Sequence, residues 1–170
     1  MIFMSIDPGT VTCGVAVWKI DDDYKIKDLY SFTIVIDSKI DMEERLDILR
    51  SKLKDYFNEL KPYHLAHESA FINRLRPQAY GPIYASIYLL RTEFKKYKNI
   101  QSVYAYPPKS VKAKIIDGRA DKFDMLEAIS NISELSVWLS NEETEHEIDA
   151  IAIGYIHLLN IRDMPELLLL

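Results

Sequence analysis

The sequence has little cysteine, no long apolar run and no low-complexity tract, and each absence excludes a class of protein. One cysteine, Cys13, among 170 residues excludes an internal disulfide framework and suits a reducing compartment. No segment is long and apolar enough to span a bilayer, and the N-terminus lacks the basic region and apolar stretch of an export signal. With 48% hydrophobic and 28% charged residues, the composition is that of an ordinary globular protein. We therefore expect a cytoplasmic protein, in a host cytoplasm if the source is a virus or phage.

Acidic residues outnumber basic residues overall, but the basic residues are concentrated in one stretch. The net charge is −5, yet residues 71–122 contain eleven Lys and Arg against three acids, which gives +8. The rest of the chain contains 10 basic and 23 acidic residues, which gives −13. Such segregation is typical of a basic face that binds a polyanion, and a merely solvated surface is the competing interpretation.

The hydrophobic pattern predicts strands first and helices later. Alternating apolar residues between turn signals predict five strands, at residues 2–7, 12–20, 24–36, 63–69 and 100–106. Helical spacing predicts helices at residues 41–60, 78–98, 109–116, 122–132 and 142–160. The order β-β-β-α-β-α-β-α-α-α predicts an α/β fold with a mixed sheet, in which the first three strands are antiparallel and helices cover both faces. We expect a single domain at residues 1–160 and a tail at residues 161–170.

Two acidic residues end predicted strands after an apolar approach. Asp7 ends the first strand and Glu68 ends the fourth. If the two strands are neighbours, the carboxylates lie close together and repel unless a proton or a cation separates them. Each also has a structural explanation, because Asp7 suits a turn and Glu68 could pair with Arg74 or Arg76. Three other histidines are interpreted as structural: His64, His67 and His157.

The last predicted helix contains a third acid within an apolar run. Asp149 follows Ile148 in a helix that is apolar around most of its circumference, and a buried aspartate without a cation is costly. His146 lies three positions earlier and therefore on the same helix face. The alternative is that acids at this point serve helix capping, since Ser140 and Glu143 fit a capping box.

Three segments together resemble a known family. The segments FMSIDPGTVTCGVAVW, HESAF and HEIDAIAIGYIH resemble those of the RuvC family of Holliday junction resolvases, in the RNase H-like superfamily. They occur in the same order and with similar spacing, and the similarity extends over about residues 2–159. The resemblance implies an RNase H-like fold with the mixed five-stranded sheet described above.

The resemblance also implies which residues form the active site. It implies four metal ligands, which are also the catalytic residues: Asp7, Glu68, His146 and Asp149. The family's last motif is a pair of acids three apart, with histidine in the first place in some bacterial members, so Glu142 or Glu145 would substitute if His146 is not a ligand. Lys122 is implied as a further catalytic residue near the scissile phosphate.

A set of DNA contacts follows from the same resemblance. Phe71 stands where the family has an aromatic that stacks on bases at the junction, although an aromatic after a strand is also common in a core. The expected DNA-binding residues are Phe71, Arg74, Arg76, Lys109, Lys112 and Lys122. The low pI of about 5.4 departs from the basic members of the family.

The implied activity is metal-dependent cleavage of four-way DNA junctions by paired symmetric nicks. A homodimer would place one active site on each of two strands, and two Mg²⁺ ions per site are expected, with Mn²⁺ able to substitute. His146 would be a ligand or a general base, and Lys112 or Lys122 would neutralise charge at the phosphate. No nucleotide cofactor and no membrane are expected, and the place of action would be the nucleoid.

Three other functions are considered. Actin-like sugar kinases and ATPases share an Asp-x-Gly-Thr loop, but they need two such domains and 170 residues are too few. A RuvC-like nuclease that acts on structured RNA in ribosomal RNA processing would have the same fold and acids. A non-catalytic nucleic-acid-binding module would bind DNA without metal-dependent cleavage.

Overall fold

Five strands pair into one sheet at the centre of the part of the chain that the structure describes. The structure is a computed structural model that describes residues 1–72, 77–98, 102–116, 122–140 and 142–164. The strands are β1 (Ile2–Asp7), β2 (Thr12–Ile20), β3 (Ile26–Val35), β4 (His64–Glu68) and β5 (Ser102–Tyr106). Their spatial order is β3-β2-β1-β4-β5.

The strand directions confirm the predicted mixed sheet. β1 and β2 form an antiparallel hairpin whose last pair is Asp7 with Gly14, and β3 continues the antiparallel pairing. β4 then lies parallel to β1, with His67 opposite Ile6, and β5 lies parallel to β4. The carboxyl ends of β1 and β4 therefore meet at the same edge of the sheet, and Asp7 and Glu68 are the residues found there.

Six helices and one 3₁₀ turn cover the sheet in the described ranges. The helices are α1 (Met42–Leu60), α2 (Tyr80–Phe94), α3 (Pro108–Ile115), α4 (Lys122–Ser130), α5 (Ser133–Ser136) and α6 (Glu145–Asp163). The 3₁₀ turn, Pro77–Ala79, leads into α2. No helix in these ranges is long and apolar enough to cross a membrane.

Apolar residues fill both faces of the sheet. On one face α6 packs with α3, α4 and α5 around Phe3 and Trp18. On the other face α1 and α2 pack against Met4, Val15 and Leu65. Successive strand residues point to opposite faces, so the two cores are built from alternating positions of the same strands. Helices on both faces are as predicted.

Helix α6 is the element that holds the site against the sheet. Ten of its residues are buried, as the apolar run predicted. It comes close to the sheet at Gly154, where an added Cβ would clash with the side chains of Trp18 and Ser5. The Trp18 indole N–H donates to Ser5 Oγ at 2.9 Å, so the polar atoms at this contact are paired.

The start of the last helix was predicted wrongly. α6 begins at Glu145 instead of residue 142, because the capping box is formed by Thr144 and Glu147 and not by Ser140 and Glu143. Thr33 on β3 hydrogen-bonds both Thr144 Oγ1, at 2.7 Å, and Glu147 Oε1, at 2.8 Å. This contact with Thr33 on the sheet stabilises the capping box of Thr144 and Glu147, which is the later of the two similar patterns in the sequence.

Other boundaries differ from the predictions by a few residues. β3 begins at Ile26, because Tyr24 lies in a left-handed turn with a φ of 59°. α2 ends at Phe94, and residues 95–98 form turns. The short helix α5 was not predicted. The predicted start of the fifth strand, residues 100–101, falls outside the described ranges.

Candidate active site

Two strand ends and one helix start converge at the carboxyl edge of the sheet. Asp7 ends β1, Glu68 ends β4, and His146 and Asp149 lie one turn apart at the start of α6. All four side chains are half-buried. The structure thus brings together the four residues that the sequence proposed as a site.

His146 joins the helix to both strands of the first hairpin. Its Nδ1 lies 2.7 Å from Asp7 Oδ2, and its Nε2 lies 2.8 Å from Thr12 Oγ1. Because an ionised carboxylate only accepts, Nδ1 carries the proton in the bond to Asp7. The ring would have to exchange one of these two partners in order to bind a metal ion directly. Thr12 was not among the predicted residues, and no motif in the sequence signals it.

A glycine allows this close approach. Gly14 pairs with Asp7 in the sheet, and a Cβ at Gly14 would clash with the His146 carbonyl. Gly9 in the preceding turn is equally constrained, since a Cβ there would meet the Thr12 carbonyl. The glycines of the DPG segment and of β2 therefore have a direct steric role in the site.

The pKa of Glu68 reflects both its burial and the acids beside it. Burial raises the pKa of Glu68 to about 8, with further contributions from the negative charges of Asp7 and Asp149, while Lys112 acts in the opposite direction. Negative charge in this cluster is therefore poorly compensated by the protein. Perturbed carboxyl groups of this kind are frequent at functional sites.

Three hollows meet at Asp149. The largest, about 570 Å³, is lined by Asp7, His146 and Phe71. A second, about 180 Å³, lies on the Glu68 side and is lined by Glu68, Phe71 and Lys112. A third, about 230 Å³, lies towards α4. Asp149 lines all three, so it stands at the centre of this surface.

The predicted DNA-binding residues are only partly described. Phe71 is 46% exposed between two of the hollows, so it is not a core residue. Lys112 is half-buried beside Glu68, and Lys109 is exposed one turn earlier on α3. Arg74, Arg76 and the side chain of Lys122 lie outside the described part of the chain.

The side chains at the site are of the types that bind a divalent cation, but their present positions suit one less well. Three carboxylates offer the oxygen ligands that Mg²⁺ and Mn²⁺ prefer, and a cation would relieve the repulsion that adds to burial in raising the pKa of Glu68. Within the described residues, no three His, Cys, Asp or Glu side chains are close enough to hold a metal ion as they stand. The residues fit such an ion by their chemistry, provided that their side chains close around it.

The three histidines interpreted as structural are buried, and two of them form a network that the sequence did not suggest. His64 Nδ1 and His157 Nε2 lie 3.1 Å apart, and His157 Nδ1 lies 2.9 Å from the Tyr106 hydroxyl. Asn160 donates to that hydroxyl at 3.2 Å and accepts from Lys114 at 2.8 Å. The network ties β4, β5 and α3 to α6 beneath the site.

Comparison with known proteins identifies a family. A family model described as "Crossover junction endodeoxyribonuclease RuvC" matches residues 3–157. A curated protein of that name from Brachyspira hyodysenteriae is 28% identical over 165 residues, which cover 92% of this chain and 93% of the relative. Its counterpart from Corynebacterium jeikeium is 26% identical over 155 residues, or 91% of both chains.

A solved structure shows the same fold. The structure of Thermus thermophilus RuvC in complex with a Holliday junction substrate superimposes with a TM-score of 0.78. The match covers 96% of this chain and 97% of the other, at 18% identity. At that identity the similarity establishes the fold, and it confirms the predicted RNase H-like architecture.

Proposed function

The chain belongs to the RuvC family of crossover junction endodeoxyribonucleases, and on that basis we propose that it resolves four-way DNA junctions by paired symmetric nicks. The observation that supports this chemistry is the cluster of Asp7, Glu68 and Asp149 at the carboxyl edge of the sheet. The cluster lies beside an exposed aromatic, Phe71, and a lysine, Lys112. Acids, aromatic and cation are the groups that cleavage of a branched polyanion requires.

Nucleases of this family depend on divalent metal ions. We propose Mg²⁺, two ions per site and replaceable by Mn²⁺, held by the carboxylates of Asp7, Glu68 and Asp149. When bound, the metal supplies a nucleophile at neutral pH and stabilises the charge on the attacking and leaving oxygens. His146 is proposed as a fourth ligand or as the general base, and its bond to Asp7 fixes the orientation of that carboxylate.

The remaining residues bind and position the DNA in this proposal. Lys112 and Lys122 neutralise charge that develops at the scissile phosphate, because a fixed cation beside the reacting group stabilises the transition state. Phe71 stacks on a base at the junction centre, where pairing is interrupted. Arg74, Arg76 and Lys109 contact the phosphate backbone without reading its sequence.

A homodimer is part of the proposal. Two-fold symmetry in the enzyme would match the symmetry of the junction and give one cut on each of two strands. Helix α2 presents an exposed stripe of three tyrosines at four-residue spacing: Tyr80, Tyr84 and Tyr88. This stripe supports the proposal, since an exposed aromatic stripe is a suitable surface for a second copy. Sedimentation of the purified protein, with Tyr84→Arg as the interface variant, tests it.

The proposed setting is the cytoplasm, at the nucleoid where the DNA lies. We propose one nuclease domain that ends with α6 at Asp163 rather than at residue 160, because Ile161 is buried and Arg162 pairs with Glu134, and this shortens the proposed tail to residues 164–170. No cofactor other than the metal ions is proposed.

A substrate panel tests the proposed function. A labelled synthetic four-way junction, a linear duplex of the same sequence and a structured RNA are incubated with the protein, in Mg²⁺, in Mn²⁺ and with a chelator. The expected result is paired nicks near the crossover of the junction, in metal only. Cleavage of RNA alone would favour the ribosomal RNA nuclease, and binding without cleavage in every metal would favour a non-catalytic module.

A further inference from the structure

A pocket beside the acidic cluster has no role in the mechanism described above. The Phe123 pocket, about 230 Å³, is lined by Phe123, Leu126, Glu143, Glu145, Ile148 and Asp149. Phe123 is 72% exposed in the first turn of α4, and Leu126, one turn later, is 37% exposed. One exposed apolar side chain is ordinary, but two of them on the wall of a pocket form an apolar surface that a ligand can cover.

The position of this pocket relates it to the cleaved strand. Asp149 lines both the Phe123 pocket and the two hollows that contain Phe71. The two exposed aromatics therefore line separate hollows that share one carboxylate. Bases next to a phosphate bound at the acidic cluster would lie near these hollows.

The polar rim of the pocket excludes phosphate and favours amino groups. Glu143 and Glu145 contribute carboxylates, which only accept hydrogen bonds and repel the DNA backbone. Glu143 is held in place, because Ser140 donates to its Oε1 from the backbone N–H at 2.6 Å and from Oγ at 3.0 Å. Glutamate accepts from the exocyclic amino group of cytosine, and adenine has an amino group in the corresponding place, whereas thymine and guanine have a carbonyl oxygen there.

On these grounds we propose that the Phe123 pocket receives one unstacked base of the cleaved strand, next to the scissile phosphate, and selects cytosine or adenine. The proposal rests on the proposed nuclease function and adds a specificity site to it. Phe123 stacks on the face of the base, and the carboxylate rim accepts the hydrogen bonds of its amino group. Stacking alone tolerates every base, so the selectivity comes from the rim.

Matched junctions test the selectivity. Cytosine is compared with deoxyuridine, and adenine with deoxyinosine, at each of the two positions that flank the cut, with complementary partner strands. Within each pair the amino group becomes a carbonyl oxygen and the adjacent ring nitrogen gains a proton. The wild type is expected to cleave the amino-bearing junction about tenfold more efficiently at one of these positions, the size of a single base contact. Equal cleavage of both junctions at both positions would overturn the proposal.

Variants show whether Phe123 carries this preference. Phe123→Ala is expected to reduce the preference to less than about twofold and to keep cleavage, while Phe123→Trp retains the preference. Val137→Ala is the matched control, since Val137 is also an exposed apolar residue, at 75%, and does not line the pocket. Phe123 is exposed, so its removal leaves the core intact. An unchanged preference in Phe123→Ala would contradict the proposal.

A binding measurement separates this inference from the proposed function. With the fluorescent cytosine analogue pyrrolocytosine, which keeps an N–H donor on the nitrogen attached to C4, at the flanking position, the wild type is expected to raise the fluorescence by unstacking the base, and Phe123→Ala is not. This signal needs no cleavage. If the wild type cuts no junction, the nuclease proposal fails, while the fluorescence still decides whether the pocket takes a base. Equal fluorescence signals from the wild type and Phe123→Ala would contradict the proposal that the Phe123 pocket binds a base.

Discussion

At the scale of single residues, the site is a concentration of negative charge with little compensation. Three acids share the carboxyl edge of the sheet, and their mutual repulsion adds to burial in raising the pKa of Glu68 to about 8. Lys112 is the cation that opposes this shift. Such an arrangement costs folding free energy unless a bound cation offsets it. A cost of this kind is expected if the site binds metal and phosphate, as proposed above.

Replacement of Lys112 by alanine tests the role of that cation. We expect the rate of junction cleavage to fall by about 10²- to 10³-fold, the usual effect of removing one group that stabilises transition-state charge. Junction binding, measured by gel shift, should weaken far less, because many contacts share the backbone. Lys25→Ala is the control, since Lys25 is exposed and far along the chain from the site. If Lys112→Ala cleaves the junction at the wild-type rate, Lys112 has no role in the mechanism.

The buried histidine network predicts how stability depends on pH. Burial lowers the pKa of His64 to about 4 and that of His157 to about 3. The unfolded chain binds protons on these rings below about pH 6.5, whereas the folded chain does not until much lower pH. The free energy of unfolding should therefore be unaffected by these groups above pH 6.5 and fall as the pH drops towards 4.

The variant His64→Leu isolates this effect. Each ring contributes at most about 1.4 kcal/mol per pH unit, so the variant should lose less stability between pH 7 and pH 5 than the wild type does. Denaturant unfolding at the two pH values measures the difference. Within the described residues His64 Nε2 has no hydrogen-bond partner, so leucine loses nothing there. The loss of the bond from His64 Nδ1 to His157 applies at both pH values. Equal losses in both proteins would show that His64 takes up protons alike in the folded and unfolded states.

At the scale of elements, glycines set the distance between α6 and the sheet. Gly154 allows the middle of the helix to pack on Trp18, and Gly14 allows its first turn to reach β2. The second contact places His146 within hydrogen-bonding distance of Asp7 and Thr12. The site therefore depends on backbone packing as much as on the acids themselves.

Gly14→Ala tests this dependence. The added methyl group meets the His146 carbonyl, so we expect a loss of about 1–3 kcal/mol in stability and a larger fractional loss of cleavage than of binding. Gly81→Ala is a matched control, because nothing lies within 4 Å of a Cβ at that position. Thermal unfolding and junction cleavage are measured on both. If Gly14→Ala behaves like Gly81→Ala, the close approach has no functional importance.

The elements themselves were largely predictable from sequence, and their contacts were not. The first hairpin follows from alternation and a Pro-Gly turn, and the burial of α6 follows from its apolar run. The capping error at Ser140 arose because two similar patterns occur in SNEETEHE, and only the contact with Thr33 favours the second. The bond between Thr12 and His146 joins residues 134 positions apart, so no local pattern could reveal it.

At the scale of the whole molecule, the basic stretch is divided between two faces. Exposed Arg91 and Lys95 belong to α2 and its end, while exposed Lys109 and Lys114 belong to α3, across the sheet. Both helices adjoin β5, the edge strand, in the chain. Sequence alone indicated the amount of segregated charge, but the division between faces depends on the fold. In the proposed function, charge of this kind contributes to the affinity for DNA, and the acidic cluster is the place of cleavage.

The central claim is that the acidic cluster cuts the junction, and one measurement tests it most directly. The nick positions on a labelled four-way junction are mapped in Mg²⁺ for the wild type, Asp7→Asn and Asp23→Asn, an exposed acid far from the site. We predict paired symmetric nicks near the crossover for the wild type and for Asp23→Asn, and none for Asp7→Asn, which should still bind the junction. Paired nicks by Asp7→Asn at the wild-type rate would contradict the claim.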